Sequence, residues 1–146
     1  MALDDLTGYR MVSPDAGAFK KIFKVSDFIG YDGRVAMCNK IRIVAGGEIT
    51  QISIDVLDFE GEDVVIIDDI CDGGATFVKL AEELKKRNVG RIHLVVSHGI
   101  FSKGVEALLD LGIDTITVSD SFNTIATNDR VRQIKLSDIF SRNIWW

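Results

Sequence analysis

Proline is almost missing from this sequence: Pro14 is the only one in 146 residues. With no proline-rich or low-complexity stretch and no charge block, nothing reads as a linker, and a single domain over 1–146 is expected. Cysteine is scarce too. Cys38 and Cys71 lie far apart and form no C-x-x-C pair, which excludes a disulfide framework and fits a reducing compartment. No run approaches the roughly 20 apolar residues of a membrane helix. Residues 1–10 are broken by Asp4 and Asp5 and lack the apolar core of a signal peptide. Positive charge is in deficit, with 17 Lys and Arg against 22 Asp and Glu and a net charge of -5. That balance argues against nucleic acid or a membrane surface as partner. A cytoplasmic protein is expected, one that holds any anionic substrate by local features.

What the chain has is apolar material: 47% of its residues, with a mean hydropathy of +0.17. A domain of this size buries about 70% of its unfolded surface, so part of this material is expected to lie at an interface. Residues 9–13 read as a strand running into the turn at Pro14. Residues 16–28 carry helical spacing at Phe19, Ile22 and Phe23. Strands are expected over 34–38 and 49–57, separated by a loop or hairpin at 39–47. Val64 to Ile67 is a continuous apolar run suited to a strand buried on both faces. A helix over 75–87 follows, with Phe77, Leu80, Ala81 and Leu84 on one face. Further elements are a strand at 91–97, a helix at 103–111, a strand at 115–118, a strand beginning at Ile134 and a helix at 136–140. This alternation predicts an α/β fold with a mostly parallel twisted sheet flanked by helices.

The most informative stretch is residues 64–77. An apolar strand ends in Asp68 and Asp69, and a short loop through Asp72, Gly73 and Gly74 opens a helix at Ala75 and Thr76. Ligands of parallel sheets sit beyond the carboxyl ends of strands, and the free N–H groups of a helix start favour an anion. Glycines let the backbone wrap a phosphate, and the Thr76 hydroxyl adds a donor. Carboxylates repel a phosphate but accept hydrogen bonds from vicinal hydroxyls, so a sugar phosphate accounts for both halves of the motif. The plainer alternative makes Asp72 a helix cap, the glycines a turn, and Asp68 and Asp69 solvated side chains.

The segment from Asp68 to Thr76 resembles the phosphoribosyl-binding signature of the type I phosphoribosyltransferase fold. Three more segments resemble the ribose-phosphate diphosphokinases (PRPP synthetases) in particular, matching their C-terminal half. Val12 to Gly17 is similar to their diphosphate-region loop. Lys40 and Arg42 are similar to the basic pair of their flexible catalytic loop, and Ser97 to Ser102 matches a further stretch of that family.

The resemblance implies Mg²⁺-dependent transfer of diphosphate from ATP to ribose 5-phosphate, giving PRPP and AMP. It implies that Asp68 and Asp69 bind the ribose hydroxyls and that Asp72, Gly73, Gly74, Ala75 and Thr76 hold the 5-phosphate. Asp15 would position Mg²⁺, and Lys40 and Arg42 would stabilise the transferring diphosphate. It also implies a homo-oligomer. Family members are about twice this length, and nothing here before Tyr9 matches their N-terminal half, so turnover alone and turnover with that half supplied elsewhere both stay open. Two other functions also remain: a base phosphoribosyltransferase consuming PRPP, and a non-catalytic sugar-phosphate-binding or assembly module. Read from the residues, Asp15 is equally a turn residue after Pro14, and Lys40 and Arg42 equally a strand's exposed face. His98 is expected to be structural or capping, His93 packing, and Cys71 a small loop residue despite the helix start beside it. Trp145 and Trp146 are expected to dock on the domain or on a partner.

Overall fold

A computed structural model describes residues 8–42 and 49–143. In chain order the elements are β1 (Tyr9–Ser13), α1 (Ala16–Ile29), β2 (Val35–Arg42), β3 (Ile49–Ile54), β4 (Asp63–Cys71), α2 (Ala75–Lys85), β5 (Ile92–Gly99), α3 (Glu106–Asp110), β6 (Thr115–Ser119), β7 (Val131–Ile134) and α4 (Leu136–Asn143). The seven strands form one sheet in the order β3-β2-β1-β4-β5-β6-β7. Every neighbouring pair is parallel except β2 with β3, which is the expected mostly parallel α/β fold.

Burial explains the layering. Val64, Val65 and Ile66 of β4 are fully buried, as a central strand covered on both faces requires. Each such side chain contributes about 1.5–3 kcal/mol through its removal from water. Alternate residues serve opposite layers. Val64 and Ile66 pack with Phe77, Leu80, Ala81 and Leu84 of α2, whereas Val65 packs with Met11 and with Ile22 of α1. The two helices therefore cover opposite faces. From β1 the chain crosses through α1 to β2 on one side, and from β4 through α2 to β5 on the other. Between β1 and β4 the direction of winding reverses, and such a switch point is where open α/β sheets take ligands.

Several expected boundaries are corrected. β4 runs on to Cys71, because Asp68 pairs with Val96 and Ile70 with His98 in the ladder with β5. The strand thus ends two residues beyond Asp69 and not at it. β2 extends through Lys40 to Arg42, antiparallel to β3, so the first part of the expected loop is strand. The rest of that loop, and Trp145 and Trp146, lie outside the described residues. The helix expected at 103–111 is confined to α3, and β7 ends at Ile134 instead of beginning there. In α1 the buried positions are Ala18, Ile22 and Ser26. Phe23 stacks edge-on against Phe19 and stays exposed, as do Phe28 and Leu57, so apolar surface remains uncovered within this chain. No helix among the described residues is long and apolar enough to cross a membrane.

Candidate functional site

The switch point gathers three chain segments. The first is the exit of β1. Ser13 is buried and its hydroxyl donates to the Asp15 carbonyl at 2.8 Å. This fixes Asp15 as the N-cap of α1, with Oδ1 accepting from the Ala18 amide at 2.9 Å. The other oxygen, Oδ2, takes the Lys40 ammonium at 2.8 Å. Burial by itself raises the Asp15 carboxyl, but Lys40 and the Ala18 and Gly17 amides outweigh it and hold it below the usual carboxylate range. Lys40 projects from strand β2, its side chain only 12% exposed. It is not carried on a free loop, because pairing of Lys40 with Ile52 of β3 keeps the backbone extended there. The Arg42 side chain lies outside the described part of the structure.

The second segment is the end of β4. Asp69 faces α1 and forms an ion pair with Lys21, which raises the lysine's pKa. Asp68 accepts the Asp69 amide at 2.8 Å. Its carboxyl is pushed above the usual range, first by burial and further by the charges of Asp15 and Asp69, against the pull of that amide and of Lys40. Sequence reasoning missed Lys21, since nothing local relates a residue of α1 to a strand 48 positions away.

The third segment is the loop into α2. The N-cap of α2 is Gly74, in the left-handed region at φ 72°, and no side chain caps the helix. The reading of Asp72 as a cap is therefore set aside. A Cβ at Gly74 would lie 2.5 Å from Leu108 Cδ2, so both conformation and space demand glycine. Because Val78 N–H makes the first helical bond, to the Gly74 carbonyl, the amides of Ala75, Thr76 and Phe77 lack intrahelical partners by geometry. An uncapped helix start with the dipole behind it is an anion site in waiting.

Around this loop, Asp72, Gly73, Ala75, Lys103 and Leu108 line a cavity of about 280 Å³. A larger hollow of about 520 Å³, bordered by Tyr9, His93, Thr115 and Val131, lies at the opposite, amino-terminal end of the strands. It has neither a glycine loop nor a helix start; the smaller one adjoins both, although Asp68, Asp69 and Thr76 do not line it. Cys71, expected in the loop, is instead the last residue of β4, paired with Gly99; it is fully buried, and burial pushes its thiol up to about 12, which does not suit a nucleophile. His98 bonds Ser121 Oγ through Nδ1 at 2.6 Å, and His93 packs edge-on against Tyr9. His93 is buried and packs as expected, whereas His98 stays exposed at the end of β5.

Asp15, Asp68 and Asp69 offer the hard oxygens that Mg²⁺ takes. Among the described residues, however, no three His, Cys, Asp or Glu side chains are placed to enclose an ion, and both Asp15 oxygens are engaged. The donor set suits an ion completed by phosphate and water oxygens, not one held by protein alone.

The phosphoribosyl transferase domain model matches residues 32–130. The chain is 33% identical to a ribose-phosphate pyrophosphokinase of Mycoplasmopsis pulmonis over 129 residues, covering 88% of this chain and 40% of that protein. It is 30% identical to the Vibrio cholerae protein of the same name over 138 residues, covering 92% and 43%. The chain thus spans less than half the length of these curated relatives. In fold it superimposes on a phosphoribosylpyrophosphate synthetase of Mycobacterium smegmatis with a TM-score of 0.76 at 18% identity, over 94% of this chain and 44% of that one. With the loop, the switch point and the matched segment in agreement, the chain belongs to the phosphoribosyl transferase domain family and is similar to the ribose-phosphate pyrophosphokinases.

Proposed function

We propose that this chain binds ribose 5-phosphate at the end of β4 and serves Mg²⁺-dependent transfer of diphosphate from ATP to the sugar's C1 hydroxyl, yielding PRPP and AMP. The observation that carries the reading is the uncapped, glycine-led start of α2 beside two strand-end carboxylates. Asp68 and Asp69 accept the ribose hydroxyls, with Lys21 orienting Asp69. The backbone of Asp72 to Thr76 and the Thr76 hydroxyl hold the 5-phosphate. Lys40, held in place by Asp15, is preorganised to meet the charge of the polyphosphate, and such placement is worth most where little reorganisation is left to do. Arg42 shares that role. Mg²⁺, when bound with the polyphosphate, would meet the Asp15 carboxylate and offset phosphate charge.

The relatives that carry this activity by name are more than twice as long, so turnover is proposed either for this chain alone or with a second half supplied elsewhere. A homo-oligomer is part of the same reading, with the exposed Phe23 and Phe28 of α1 as surface available for it. Cytoplasmic residence goes with it as well.

Two incubations test the reading: ATP, Mg²⁺ and ribose 5-phosphate in one, PRPP with a set of nucleobases in the other. AMP in the first supports it. Consumption of PRPP with a base would replace it with a base phosphoribosyltransferase, and sugar-phosphate binding without turnover would reduce it to a binding module. Lys40→Ala is expected to lower turnover more than sugar binding; equal losses would remove its assigned role.

A further inference from the structure

The loop that is to receive a phosphate contains no basic residue of its own. Three carboxylates, Asp68, Asp69 and Asp72, stand on or beside it, and two of the cations that approach from other segments are already paired: Lys21 with Asp69 and Lys40 with Asp15. A further positive charge beside the loop would strengthen the hold of the α2 amides on a dianionic phosphate.

The turn after β5 brings one. The Ile100 and Phe101 amides both donate to the Cys71 carbonyl, at 2.8 and 3.2 Å, and Gly104 N–H closes the turn on the Phe101 carbonyl at 2.8 Å. Phe101 is held at φ 48°, a backbone region L side chains rarely adopt. Its ring is buried, which explains how that conformation is retained. Backbone strain of this kind persists where surrounding structure over-determines it, and it clusters at ligand sites. The turn therefore holds the backbone of Ser102 and Lys103 beside the β4 loop. A Cβ built on Gly73 would lie 3.8 Å from both Lys103 Cε and Ser102 Oγ, and Lys103 lines the cavity together with Asp72, Gly73, Ala75, Lys79 and Glu82. Among the described residues Lys103 enters no ion pair.

We infer that Lys103 is the residue that recognises the phosphate, so that the site selects phosphorylated pentoses through a lysine delivered by the neighbouring strand's turn. This inference rests on the sugar-phosphate reading of the loop. A lysine acts here as a point charge on a phosphate oxygen, while the α2 amides supply the directional contacts.

The test is calorimetric titration of the full chain with ribose 5-phosphate, comparing the native protein with Lys103→Met, Lys103→Arg, a Lys86→Met control and the double variant Asp68→Asn/Asp69→Asn. Lys103→Met is expected to weaken binding about tenfold and to flatten its dependence on salt, with an unchanged melting temperature. Lys103→Arg should restore most of the affinity, and Lys86→Met should bind as the native chain does. Native-like binding by Lys103→Met, alongside loss in the double carboxylate variant, would overturn the role of Lys103 and leave the site standing. Weakening that follows a lowered melting temperature and is not rescued by arginine would also overturn it. No binding by the native chain would remove the sugar-phosphate site and this inference together.

Discussion

Lys40 and Asp15 meet at 2.8 Å across the carboxyl ends of two neighbouring parallel strands, and Asp15 at the same time caps α1 through its other oxygen. One carboxylate thus fixes both a helix start and a lysine. The two duties separate by substitution. Asp15→Ala removes both and is expected to cost about 1 kcal/mol through the cap alone. Asp15→Asn keeps a good cap and loses only the charge, so its cost should be smaller. Because the Asp15 carboxyl is lowered in the fold, its ionic contribution is present above its unfolded pKa and disappears as pH falls through the folded value. Urea titrations at neutral pH and well below the ordinary carboxylate value of 3.8 should show the native chain converging on Asp15→Asn in acid.

Asp68 has the opposite sign. Its carboxyl is raised, chiefly by burial, so ionisation at neutral pH works against the fold. Asp68→Asn is expected to raise the melting temperature slightly at pH 7, a gain that vanishes as pH falls through the raised folded value toward 3.8. The same variant should bind ribose 5-phosphate at least about tenfold more weakly, since a charged acceptor becomes a neutral one. A gain in stability paired with a loss of affinity marks a group kept for its ligand.

The two loop glycines should respond differently to alanine. At Gly74 a methyl group meets Leu108 at 2.5 Å in a left-handed backbone, and a loss of about 1–3 kcal/mol is expected in denaturant titrations. At Gly73 nothing lies nearer than 3.8 Å. Gly73→Ala should change stability by less than about 0.5 kcal/mol yet weaken sugar-phosphate binding, because its methyl points at Lys103 and Ser102.

Both described thiols are buried, and burial pushes each up to about 12. With so little thiolate and so little access, a thiol reagent at pH 8 should label neither Cys38 nor Cys71 in the native chain. Labelling of both should follow within the dead time once denaturant is added. Rapid native labelling of Cys71 would mean that the loop after β4 opens freely.

Much of this could be read from residue order, and the misses have physical causes. Pro14 and the apolar spacing after it placed β1 and the start of α1. The four-residue apolar run announced the central strand, and the glycines beyond it announced a helix start. The end of β4 was hidden because backbone ladders are indifferent to the polarity of Asp68 and Asp69, whose placement depends on β5. β2 was cut short for the same reason, its last residues being held by β3 and not by local preference. β7, with Arg132 and Gln133 between Val131 and Ile134, carries little strand signal of its own. Lys21 and Lys103 escaped notice because each reaches the site from a distant segment. Only for Lys103 was there a hint, its position directly after the recognised stretch ending at Ser102.

The Cys71 carbonyl, which accepts two amides from the turn beyond β5, has a mechanical consequence. It acts as a rivet between two loops whose sequences are far apart, so a ligand gripping one of them must quieten the other. Hydrogen exchange at the Ile100 and Phe101 amides should therefore slow when ribose 5-phosphate fills the cleft, giving a readout of occupancy at positions with no assigned contact to the sugar.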